Sequence, residues 1–114
     1  MLETLRQDAR AIFDAALEVA DATAAVHRAV RVEGTLLEVA GHAYDLAAYE
    51  RVIVLGAGKA TPAMARGLED LLGERITRGL IVTKYGHALP LARTRTLVAG
   101  HPVPDEKGLE AARE

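Results

Sequence analysis

One stretch decides how this chain folds: Arg51-Val52-Ile53-Val54-Leu55-Gly56-Ala57-Gly58-Lys59-Ala60-Thr61-Pro62. Val52 to Leu55 are four consecutive apolar residues, the pattern of a strand buried on both faces of a parallel sheet. The small residues and lysine that follow read as a tight turn. Thr61 can cap a helix there, Pro62 suits its first turn, and Met64, Leu68, Leu71 and Leu72 recur at helical spacing until Gly73 stops them. Two more strand-like runs, Gly79 to Thr83 and Thr96 to Ala99, each lead into a glycine-containing loop. Strand, helix, strand in this order demands a right-handed crossover and a parallel sheet covered by helices. Behind Pro102 and Pro104, Asp105 opens a last helix, Glu106 to Arg113. The expected fold class is α/β: part of a doubly wound, mainly parallel Rossmann-like sheet, preceded by helices and a small hairpin.

Upstream, the periodicity differs. From Leu2 to Ala20 apolar residues recur at three and four, with Arg6, Arg10, Asp14 and Glu18 opposite, so an amphipathic helix is predicted, its stripe packed on the core. Asp21 and Thr23 can cap a second helix through Val30, and Gly34 ends the helical stretch. Thr35 to Val39 is rich in β-formers, and Gly41-His42 before Ala43-Tyr44 fits the turn of a hairpin. The domain reading is a helical lead-in (1–34), a hairpin and turn (35–50) and a β-α-β-β-α unit (51–114) within one α/β domain. Three sheet strands and a helix cut at residue 114 predict the amino-terminal part of a larger domain, with its remainder and a second domain absent. Such an isolated sheet leaves an uncovered edge.

Composition narrows the function classes. Among 114 residues, Lys+Arg 14 against Asp+Glu 16 gives a net charge of −2, which provides no electrostatic footprint for nucleic acid or an anionic membrane. The only aromatic residues are Phe13, Tyr44, Tyr49 and Tyr85, too few for a base-stacking platform. Absence of cysteine removes disulfides, thiolate metal sites and thiol nucleophiles together. The amino terminus has no basic cluster followed by an apolar run, and a soluble, cytoplasmic protein is expected.

Chemistry concentrates at the rim after the strands. In Gly56-Ala57-Gly58-Lys59 the glycines let backbone approach a ligand, and the N–H groups opening the next helix form an anion site. Lys59 adds a full charge, the right group for phosphoryl transfer, where neutralising the transferring group matters most. The alternative is a glycine turn that only packs helix on strand, with Lys59 solvated. GxxxxGK[ST] fails, because a single residue separates the glycines and Ala60 follows the lysine. GxGxxG fails at its third glycine, which is Thr61, and the second strand ends in Lys84 rather than an acid for a ribose. Lys84-Tyr85-Gly86-His87 contributes a cation, a hydroxyl and a proton carrier, or else an exposed histidine. His101 lies at the equivalent rim after the third strand, in a loop stiffened by two prolines. Asp105 reads better as a helix cap than as a metal ligand, and His27 and His42 have no partner at ligand spacing, so no metal site is read.

Arg51 to Met64, Val82-Thr83-Lys84-Tyr85-Gly86-His87-Ala88 and Ala99-Gly100-His101-Pro102-Val103-Pro104-Asp105, with Tyr44-Asp45-Leu46 before them, together resemble the amino-terminal portion of the glycerate kinases that form 2-phosphoglycerate. The resemblance implies ATP-dependent phosphorylation of D-glycerate at its 2-hydroxyl, with Mg2+ or another divalent cation, in a cleft between two α/β domains. It implies Lys59 as the catalytic lysine. Gly56, Ala57, Gly58, Lys84, Gly86, His87, His101 and Asp105 are then candidates for binding substrate or nucleotide. Family members are several times longer, and their serine- and glycine-rich phosphate loop lies in what would follow Glu114. Some carry the label hydroxypyruvate reductase. An NAD(P)H-dependent hydroxypyruvate reductase and a non-catalytic phosphosugar-binding module are the competing readings, and homo-oligomer formation is left open.

Overall fold

The computed structural model describes residues 1–114. Helices α1 (Leu2–Val19) and α2 (Ala22–Ala29) lead into strands β1 (Val30–Glu33), β2 (Leu36–Val39) and β3 (His42–Asp45). After a 3-10 turn (Leu46–Ala48) come β4 (Ile53–Ala57), α3 (Thr61–Leu72), β5 (Arg78–Lys84), β6 (Thr94–Ala99) and α4 (Glu106–Ala111). The architecture is α/β, with an antiparallel sheet β1-β2-β3 and a parallel sheet β4-β5-β6.

The parallel sheet positions the site. Its register sets Leu55 against Leu80 and Val82 against Leu97, so alternate residues point to opposite faces. One face carries Val54, Ile81, Thr83 and Thr94, all buried, with α3 packed against it. The other face is only partly covered. Helix α4 packs on β6 beside the buried Ala99, while Ile53 and Leu55 on β4 stay 44% and 74% exposed. The expectation of a strand buried on both faces therefore holds for one face only, because the six-residue α4 sits against β6 and not β4.

Below α3, Val54, Leu72 and Ile76 form the core, and Val32, Leu37, Leu46, Val52 and Leu68 pack around it. The antiparallel sheet is thus tied to the parallel one through Val32 and Leu37. Helix α2 lies against α3, so close at Gly67 that a Cβ there would stand 3.0 Å from Val26 Cβ. Thr23 Oγ1 donates to Ala63 O at 2.8 Å across the same contact.

Three upstream expectations need correction. The second helix ends at Ala29, and Val30-Arg31-Val32-Glu33 forms a strand, with Val30 buried and Arg31 and Glu33 exposed. The expected hairpin is thus two strands of a three-stranded sheet, turning at Ala40-Gly41 (φ 47° and 84°) rather than at Gly41-His42. Finally, α1 has no buried residue, and its stripe of Leu5, Ile12, Phe13 and Leu17 is exposed instead of packed.

Candidate functional site

The turn after β4 separates the roles of its two glycines. A Cβ on Gly56 would sit 2.5 Å from Thr61 Cγ2, so this glycine lets the start of α3 close onto the strand. Gly58 has φ +121°, donates its N–H to Val82 O at 3.0 Å, and would meet only Thr61 Oγ1, 3.7 Å away, if it carried a Cβ. Open space in front of a positive-φ glycine is what close approach of a ligand requires. Thr61 does not cap α3; it is the first helical residue, behind Ala60, and no side chain caps the helix. The first N–H groups of α3 therefore have no side-chain acceptor and keep the positive end of the helix dipole available to an anion.

A cavity of about 190 Å3 lies between the carboxyl ends of β4, β5 and β6. Gly58, Lys59, Lys84, Gly100, His101 and Gly108 line it with three further residues, none of them acidic. Lys59 is exposed and Lys84 half-buried, and neither is paired with a carboxylate. Two ammonium groups without a carboxylate partner and an imidazole thus surround one hollow, a lining whose field favours negative charge. Thr83 also lines the cavity, and its buried hydroxyl has no hydrogen-bond partner.

Of the residues singled out from sequence, Gly58, Lys59, Lys84 and His101 thus meet around one space. Ala57 lies at the end of β4 just outside it, as does Gly56. Gly86, at φ +78°, shapes the turn that follows β5, and His87 donates its backbone N–H to Lys84 O at 3.2 Å. Neither lines the cavity.

Asp105 caps α4, accepting from Gly108 N–H at 3.2 Å through Oδ1. Its Oδ2 accepts from Tyr85 O–H at 2.8 Å. The Gly100 N–H, then the Tyr85 hydroxyl, hold the Asp105 carboxyl below the usual carboxylate range. The same bond to Asp105 raises Tyr85 above the ordinary phenol value. Sequence reading missed Thr83, Gly100, Gly108 and the Tyr85–Asp105 pairing. Thr83, Gly100, Tyr85 and Asp105 all stood in the quoted motifs, whereas Gly108 stood in none.

The family described as "Domain of unknown function (DUF4147)" matches residues 8–114, and the chain belongs to it. A "Glycerate 2-kinase" of Pyrococcus horikoshii is 39% identical over 99 residues, covering 87% of this chain and 22% of that protein. An Agrobacterium vitis protein bearing a hydroxypyruvate reductase name is 39% identical over 111 residues, covering 96% of this chain and 22% of its own length. Among solved structures, one of a Pyrococcus horikoshii protein superposes with a TM-score of 0.81 at 36% identity, over 96% of this chain and 24% of that one. The chain spans about a fifth of the length of the curated relatives it matches.

Proposed function

We propose that this chain forms the phosphate-binding wall of a glycerate 2-kinase, which transfers a phosphoryl group from ATP to the 2-hydroxyl of D-glycerate. The observation that carries the reading is the acid-free hollow at the strand ends, flanked by Lys59, Lys84 and His101. ATP bound there would supply the phosphoryl group. Gly58 and the start of α3 offer it open backbone and N–H groups, and Lys59 stabilises the negative charge of the transferring group. Such chemistry is positioning and electrostatics, and this rim offers groups of that kind. Lys84 and His101 line the same hollow. A divalent cation fits less well: no group of three or more His, Asp or Glu side chains converges in the chain, so no step is assigned to one here. A cytoplasmic setting, with glycerate and ATP as the small-molecule partners, goes with this reading.

The reductase reading has weaker support. Thr61 replaces the third glycine of a dinucleotide turn, and β5 ends in Lys84 where a ribose-binding acid would stand. The test is a chimera in which this chain replaces the matching segment of the Pyrococcus horikoshii glycerate 2-kinase. ATP-dependent phosphorylation of D-glycerate is expected, with 2-phosphoglycerate as product. NADPH oxidation with hydroxypyruvate in place of phosphorylation would overturn the proposal.

A further inference from the structure

Asp105 is not part of the cavity lining, yet it touches the segments that are. Gly100 and Gly108 line the hollow, and Tyr85 directly follows Lys84, which lines it too. One carboxylate thus bonds Tyr85 in the loop after β5 and Gly108 in the first turn of α4, and lies against Gly100 in the loop after β6. Space at this junction is already used up. A Cβ on Gly100 would stand 2.6 Å from Val103 O and 2.9 Å from Asp105 Oδ2.

The choice of side chain is informative. Asn or Ser caps a helix about as well as Asp. Neither puts a negative charge beside a hollow that Lys59 and Lys84 line, where that charge opposes anion binding. A carboxylate, however, offers two oxygens with about four acceptor sites, enough for several donors at once, and charged acceptors make the stronger bonds. We infer that Asp105 and Tyr85 form a latch that holds the Lys84 and His101 walls at the spacing an anion needs, Asp105 being a positioning residue and not a ligand of the substrate. This inference rests on the anion-site reading given above.

The test uses Asp105→Asn and Tyr85→Phe in this chain, with two measurements. Backbone amide relaxation reads the order of residues 84–87 and 100–105 without any ligand. Titration with inorganic pyrophosphate at fixed ionic strength reads the cradle. Both variants should loosen both loops, while α3 and the parallel sheet keep their amide protection. Asp105→Asn should weaken pyrophosphate binding about tenfold, as expected for loss of a charge-assisted bond. Tyr85→Phe changes no charge near neutral pH and cannot unfold the cap, so its smaller loss, about threefold, isolates positioning from electrostatics. Tighter binding by Asp105→Asn would mean that the carboxylate acts only as a nearby negative charge, and would overturn the latch. Unchanged loop order in both variants would overturn it as well. If the unaltered chain fails to bind pyrophosphate, the anion-site reading falls, and loop order alone still decides whether the latch exists.

Discussion

At the residue scale, Lys59 and Gly58 carry the strongest expectations. In the chimera, Lys59→Ala should lower kcat about a hundredfold or more and change KM little, because the charge it meets develops mainly in the transition state. Unchanged kcat in steady-state kinetics would reduce Lys59 to a surface residue of the turn. Gly58→Val should cost about 1–3 kcal/mol in denaturant unfolding, and the source is backbone conformation, not crowding. At φ +121° a β-branched residue is strained, although the space beside it is open. Tyr85 gives a pH-dependent signal. Its native value is raised by the bond to Asp105, so the bond's contribution is present below the ordinary value of about 10 and is lost as pH rises through the higher native value. Tyrosinate absorbance should therefore show one of three tyrosines ionising late, and Tyr85→Phe should remove that component and leave the other two. For Asp105 the sign is opposite. Its contribution is present above about 4 and fades as pH falls through the lowered native value. The glycine turn that opens α3 was legible in the sequence because glycine spacing and a following helix are local signals. The Tyr85–Asp105 bond was not, since its partners lie 20 residues apart on different loops, and periodicity says nothing about such pairs.

At the element scale, the β-α-β unit followed from hydrophobic runs punctuated by glycine and proline, and the strands and helices formed there. The failures lie where a short element lacks its usual signal. Val30-Arg31-Val32-Glu33 does alternate like a strand, but it continues directly from α2, and four residues are too few to outweigh the helical pattern before them. Ala40 hides the turn because alanine is not a residue associated with positive φ, yet it stands at 47°. Two consecutive positive-φ residues form a type I′ hairpin turn, for which Asn-Gly is the favoured pair. Ala40→Asn should accordingly raise stability by about 1 kcal/mol, seen as a Tm higher by several degrees. A lower Tm would show that the alanine is not strained there. Between α2 and α3 the sign reverses: Gly67→Ala pushes a Cβ to 3.0 Å from Val26 Cβ and 3.1 Å from Thr23 O, the latter a backbone atom with little freedom to retreat. About 1–3 kcal/mol should be lost in denaturant unfolding, with the parallel sheet intact.

At the scale of the whole molecule, the chain presents a cavity at the strand ends and bare apolar surface on β4 and α1. It extends 61 × 40 × 22 Å, with no residue of α1 buried. That helix was expected to pack because amphipathic stripes usually do, and a stripe identifies what a helix needs to cover without identifying the cover. The same holds for β4, whose run of apolar residues signalled two buried faces while the chain covers one. Ile53 and Leu55 therefore stand open on the sheet, and Leu5, Ile12, Phe13 and Leu17 on α1. Exposed apolar surface of this extent drives association. Isolated in solution, the chain should sediment as a concentration-dependent mixture heavier than 12.2 kDa. Leu55→Gln should shift that mixture toward monomer without lowering the unfolding midpoint much, since the residue is 74% exposed. Catalysis sets a second expectation on the same sample. Phosphoryl transfer by positioning needs donor and acceptor held from opposing sides, and the cavity at the strand ends supplies one side. ATP consumption with D-glycerate should thus stay at background for the isolated chain, even under conditions where the chimera turns over. Turnover by a monodisperse monomer would mean that the acid-free hollow is sufficient by itself, and the idea of a single wall would have to be abandoned.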